Sequence, residues 1–120
     1  MPTLAAVAGG RLPDGYKADG EDVSAALLGE SIEQRKPMYW EYGRNETFFK
    51  YPAEPDRSPN VAMRDGKWKL LVNADGTHVE LYELLADPKE SKNVATDERE
   101  VAEVMTKAAL EWRKGLPKLP

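Results

Sequence analysis

The sequence contains no cysteine, a single histidine and no apolar run of membrane-spanning length. Without cysteine there are no disulfides, no thiolate zinc ligands and no sulfur nucleophile. A chain free of cysteine tolerates either redox compartment, so the compartment stays open. One histidine leaves no partner for the paired acid–base work of many hydrolases. Basic residues are also in the minority: 17 Lys and Arg against 21 Asp and Glu give a net charge of −4. That balance supplies no electrostatic footprint for nucleic acid and disfavours an anionic membrane surface. The start, MPTLAAVAGG, is apolar but lacks a basic lead and makes a poor signal peptide.

What is present fits one α+β domain. At 120 residues with 41% hydrophobic and 32% charged residues, the chain is long enough for a modest core. Pro2 to Val7 reads as a short helical piece ended by Gly9 and Gly10, with Leu4 and Val7 on one face. Two Asp-Gly pairs then mark turns, and Val23, Leu27 and Leu28 are expected to point inward from a second short helix. Residues 1–36 form this connecting helix-and-loop segment; residues 37–120 carry a small antiparallel sheet of three to four strands and a C-terminal amphipathic helix.

The strands are PMYWEY, the two runs that flank Asp65-Gly66 in VAMRDGKWKLLV, and HVELYELL. Asp65-Gly66 is expected to form the central pair of a type I′ hairpin, with Arg64 facing Lys67 and Met63 facing Trp68. Val61, Met63, Trp68, Leu70 and Val72 then share one face. In the last helix, Thr96 or Asp97 is the expected cap, Arg113 and Lys114 complement the helix dipole, and Val101, Val104, Met105, Ala108 and Trp112 make the packing face. Trp68 and Trp112 are read as core, and Lys67 and Lys69 as a solvated or interface face.

Between the first strand and the hairpin lies an aromatic-rich loop, YWEYGRNETFFKYPAEPDRSPN. Tyr39 and Trp40 point to opposite sheet faces, so one is expected under the helix and the other against a partner. Phe49 is equally well placed for a core. The remaining polar and aromatic groups suit ligand contact, because rings cover the apolar side of a sugar or aryl group while polar groups read hydroxyls. Tyr42, Arg44 and Asn45 are the candidate ligand-contact residues of this loop. No catalytic or metal-ligating set stands out. Asp14, Asp19 and Asp22 lack the rhythm of a calcium loop and read as turn residues. His78 opens a strand and reads as structural or exposed.

One ordered set of motifs is more specific. Arg64, Gly66, Trp68-Lys69-Leu70, Leu81-Tyr82-Glu83-Leu84, Asp87-Pro88-Lys89-Glu90 and Asn93-Val94-Ala95 follow in sequence. Together they resemble the C-terminal subdomain of the sulfatases, the arylsulfatase branch of the alkaline-phosphatase superfamily. The Pro-Thr-Leu start, the Asp-Gly segment before Leu28 and the Trp40-Glu41 strand extend that resemblance over the whole chain. Many relatives carry His where Tyr42 stands, which leaves the substrate class open.

The resemblance implies sulfuric ester hydrolysis of aryl or carbohydrate sulfates in a longer parent. It also implies calcium and a formylglycine there, the latter made from Cys or Ser in a Cys/Ser-x-Pro/Ala-x-Arg motif. Ser31 to Arg35 mimics the spacing but lacks the middle Pro or Ala. This chain is therefore expected to carry no cofactor, to be inactive alone, and to shape the substrate pocket of the parent. Its expected partner is the catalytic domain, with Met1 an internal residue of the longer chain. An exposed cut face would favour self-association. Sulfatases of this kind are often exported, so the resemblance implies a periplasmic or secreted parent. The alternative is a stand-alone carbohydrate-binding or protein-interaction module using loop 39–51.

Overall fold

A computed structural model describes residues 1–32, 36–42 and 57–117. Its contacts divide the chain into two compact units, Met1–Lys36 and Pro37–Pro120. Arg44, Asn45, Phe48, Phe49, Tyr51 and the 33–35 part of the Ser31–Arg35 stretch lie outside the described residues.

The first unit holds α1 (Pro2–Val7) and α2 (Ser24–Leu27). Thr3 ties them: its hydroxyl donates to the Glu21 carbonyl at 3.2 Å and accepts from the Val23 N–H at 3.0 Å. Asp22 Oδ1 accepts from the Ser24 N–H at 2.9 Å and starts the second helix. The apolar residues expected to turn inward do not. Leu4, Val7, Leu27 and Leu28 are 55–75% exposed, and Val23 is 37% exposed. Helices of six and four residues are too short to enclose a core of their own.

The second unit is a four-stranded antiparallel meander, β1 (Met38–Glu41), β2 (Val61–Asp65), β3 (Trp68–Val72) and β4 (Glu80–Glu83), in that spatial order, followed by α3 (Arg99–Lys114). The two-residue period of the strands sends Val61, Met63, Leu70, Val72 and Leu81 to one face, where Ala102, Met105 and Ala109 of the helix close over them. Leu70, Leu81, Val61 and Val72 are fully buried; each such side chain contributes about 1.5–3 kcal/mol. Tyr39 stacks on Trp112 with ring centroids 5.3 Å apart, pinning β1 to the end of the helix. Trp40 points to the opposite face and is 41% exposed.

The hairpin register differs from the expected one. Asp65 pairs with Trp68 and Arg64 with Lys69, so Gly66 and Lys67 form the two-residue turn. Gly66 alone has positive φ, at 52°, the signature of a type II′ turn with glycine first. The expected type I′ turn needs positive φ at both positions. The shift is by two residues, so every side chain keeps its face.

The helix also starts later than expected. Its N-cap is Glu98, without a side-chain cap, rather than Thr96 or Asp97. Residues 94–98 first form a turn in which the Val94 carbonyl accepts from both the Asp97 and Glu98 N–H groups. Val104, assigned to the packing face, is 65% exposed, because the stripe that meets the sheet runs through Ala102, Met105 and Ala109.

Candidate functional site

The motif residues that distinguish this sequence hold one edge of the sheet. Strand β4 is an edge, and its outer side is closed rather than open. The Val94 N–H donates to the Leu81 carbonyl at 2.8 Å, and the Leu81 N–H donates to Asn93 Oδ1 at 3.0 Å. The same oxygen accepts from the Ala95 N–H, while Asn93 Nδ2 donates to the Val79 carbonyl. Asp87 organises the turn before it, accepting from Ser91 Oγ and the Lys92 N–H, each at 2.8 Å. These bonds hold the Asp87 carboxyl below its ordinary pKa. Lys69 reaches over to Glu90, with an Nζ–Oε2 distance of 2.6 Å. Tyr82 donates to Glu80 at 3.0 Å, and burial, with the nearby carboxylates, pushes its phenol up to about 12. A phenol held neutral in this way is no general base near neutral pH. The motif's polar side chains thus tie strand, turn and helix entry together.

A second bond of this kind was not legible in the sequence. Glu41 lies on the core face of β1 with its side chain 4% exposed, and Arg113 Nε donates to its Oε1 at 2.8 Å across 72 residues of chain. Arg113 has the general signature of a helix-ending cation, which hides its specific partner.

Among the described residues, the end of the sheet that holds Tyr42 and Asn60 is polar. There Tyr42, the one candidate binding residue within the described part, is 47% exposed, and its N–H donates to the Asn60 carbonyl at 2.8 Å. Asn60 Oδ1 in turn accepts from the Ala74 N–H. Beside it a concavity of about 470 Å³ is lined by Arg57, Asn73, Asp75, His78 and Glu80 among others. Asp75 Oδ1 accepts from the Thr77 hydroxyl at 2.7 Å and from the Thr77 N–H at 2.9 Å, which lowers its pKa. Asn73 Nδ2 donates to Thr77 Oγ1 at 2.9 Å and lies 3.2 Å from His78 Nδ1. His78 has φ of 52°, a left-handed conformation that Asn, Asp and His adopt more readily than other side chains. His78 is exposed, but it is also part of a side-chain chain that spacing alone did not reveal. Arg44 and Asn45 fall outside the described residues.

Among the described residues no group of three or more His, Asp or Glu side chains could hold a metal ion. No described helix is long and apolar enough to cross a membrane.

A four-stranded meander under one helix, with an edge strand fastened by an Asp–Asn turn, defines a small α+β module. The family model described as N-sulphoglucosamine sulphohydrolase, C-terminal, matches residues 1–114, and the chain belongs to that family. It is 34% identical over 98 residues to a choline-sulfatase of Rhizobium meliloti, covering 82% of this chain and 17% of the relative. Arylsulfatase A of Bos taurus is 34% identical over 124 residues, covering 85% of this chain and 22% of the relative. The chain therefore spans about a fifth of the length of these relatives.

Among solved structures, a protein from a glycosaminoglycan-metabolising locus of Bacteroides thetaiotaomicron shares the fold with a TM-score of 0.60 and 23% identity. The match covers 95% of this chain and 24% of that one. Another, solved with its substrate D-glucosamine-2-N,6-O-disulfate, gives a TM-score of 0.57 at 22% identity, covering 97% and 24%.

Proposed function

We propose that this chain is the C-terminal part of a sulfatase whose whole hydrolyses aryl or carbohydrate sulfate esters, and that it shapes and supports the substrate pocket without performing the chemistry. The observation that carries this reading is the use of its signature residues. Asp87, Asn93, Lys69 and Glu90 build an edge, and none is left as an activated nucleophile. Sulfate ester hydrolysis needs such a nucleophile and a clamp for developing negative charge.

The calcium and formylglycine implied for the parent do not fit the residues present here. The chain has no cysteine, Ser31 lacks the Pro or Ala of the modification motif, and among the described residues no group of three or more His, Asp or Glu side chains could hold a metal ion. The catalytic domain is the proposed partner. Its counterpart surfaces here are the exposed Leu27 and Leu28 of the first unit and, separately, Met38 and Trp40 of the sheet. The same apolar surfaces support self-association of the isolated chain. Tyr42, with Arg44 and Asn45, is proposed to contact the substrate at the pocket rim, and the parent to be periplasmic or secreted.

The test is direct. The purified chain, incubated with p-nitrophenyl sulfate and calcium, is expected to release no nitrophenol above the buffer rate. Turnover that survives repurification would overturn the reading.

A further inference from the structure

The first unit is shaped by local bonds but has nothing buried inside it. Both of its helices close on the same motif. After α1, the Gly10 N–H donates to the Ala5 carbonyl at 2.8 Å and the Gly9 N–H to the Ala6 carbonyl at 3.0 Å, with Gly9 at φ of 68°. After α2, the Glu30 N–H donates to the Ala25 carbonyl at 2.9 Å and the Gly29 N–H to the Ala26 carbonyl at 3.1 Å, with Gly29 at φ of 90°. In this kind of helix stop the residue after the left-handed glycine is frequently apolar and packs back on the helix. Gly10 and Glu30 hold that place here, so neither stop adds apolar burial.

None of residues 1–32 is buried, and Leu4, Val7, Leu27, Leu28 and Ile32 are exposed. The nine buried apolar residues among those described all lie between Val61 and Ala109. Ordering a residue costs conformational entropy, and apolar burial is what offsets it. The second unit meets that requirement with its own core. Residues 1–32 do not.

We propose that Met1–Lys36 is a folding part of the domain that precedes it in the parent, and that the module able to fold by itself begins at Pro37. The exposed faces of α1 and α2 then dock on an apolar surface of the same polypeptide, upstream of Met1. This rests on the reading of the chain as the C-terminal part of a sulfatase, and it adds where the folding boundary falls. Length supports that occupant. The matching family model is a C-terminal one, and the chain covers only 17% and 22% of two relatives, so most of such a polypeptide lies upstream. A covalently joined surface acts at high effective concentration, and so outcompetes a second copy of the chain.

The test is amide hydrogen exchange on two polypeptides: this chain, at the lowest workable concentration, and the full reading frame of the source DNA. In this chain the amides of Ala5, Ala8, Leu27 and Leu28 are expected to exchange within about tenfold of an unstructured peptide, as segments that open locally do. Those of Leu70, Met105 and Ala109 should be slowed at least about a thousandfold, as core amides are. In the full reading frame the α1 and α2 amides are expected to slow by at least about a hundredfold. Leu28→Asp separates docking from the stability of the sheet. It should leave exchange of the core amides in this chain unchanged and restore fast exchange of α2 in the longer one.

Protection of α1 and α2 in this chain equal to that of Leu70 would overturn the proposal, because the unit would then be stable alone or on a second copy. Equally fast exchange of these amides in the full reading frame would overturn it as well, since nothing upstream would cover them. The nitrophenyl sulfate assay reads none of these amides, so the two readings fail separately.

Discussion

Asn93 shows how one side chain can serve as a joint. Its Oδ1 accepts from two backbone N–H groups, one of them on the fully buried Leu81. Removing it leaves a donor of the edge strand without that acceptor, at a cost of about 1–3 kcal/mol. Asn93→Ala is therefore expected to lower unfolding stability by that amount in urea titrations. Asn93→Asp, which keeps the accepting oxygen, should recover most of the loss; equal losses for both would speak against the acceptor role.

Tyr82 makes a second prediction at this scale. Its phenol is raised from an ordinary 10 to about 12, by burial first and then by the Glu80 bond and neighbouring carboxylates. The folded state holds this proton more tightly than the unfolded one. The stabilisation is therefore complete below pH 10, shrinks as pH rises, and is gone once pH passes the folded value near 12. Tyrosinate absorbance should show a phenol ionising late, together with alkaline unfolding. In Tyr82→Phe that late step should vanish. A titration of Tyr82 in the folded chain centred near pH 10, the ordinary tyrosine value, would contradict the assignment.

At the scale of elements, the contact between β1 and α3 is the least expected part of the fold. Stacking of Tyr39 on Trp112 was foreshadowed by the alternation that sends Tyr39 and Trp40 to opposite faces. The ion pair between Glu41 and Arg113 was not, because a glutamate in a short strand looks like a solvent-facing residue. Arg113→Met is expected to cost about 2–3 kcal/mol. That is below the ~3–5 of a fully buried pair, because Arg113 is 35% exposed. A double-mutant cycle with Glu41→Gln should show that the two losses are not additive. Strictly additive losses would mean the pair is incidental.

The strands, their order and the last helix were legible because turns and periodicity agree along residues 61–114. Three finer features were hidden by physical degeneracies. The type II′ turn at Gly66-Lys67 and the expected type I′ turn at Asp65-Gly66 differ by a two-residue shift that leaves Val61, Met63, Leu70 and Val72 on the same face. The turn at residues 94–98 postpones the helix start beyond its apparent caps. Val104 lies at helical spacing yet beside the packing stripe rather than in it. The His78 pocket was hidden for another reason: Asn73, Asp75 and Thr77 have the composition of an ordinary turn, and only the three-dimensional loop brings their side chains to the imidazole.

At the scale of the whole molecule, the question is what lies beyond this module. Leu27 and Leu28 in one unit and Met38 and Trp40 in the other are apolar and exposed, as surfaces built to be covered would be. The proposed self-association predicts that light scattering across a concentration series shows dimers or larger assemblies of the isolated chain. A strict monomer at high concentration would count against these faces as covered interfaces.

The most direct test of the central claim is to sequence the source DNA upstream of the Met1 codon. The account predicts an open frame that encodes a Cys/Ser-x-Pro-x-Arg motif. A stop codon and a ribosome-binding site immediately before Met1, with no such frame behind them, would contradict it. The chain would then be made on its own, and its function would have to be sought in what the small domain binds.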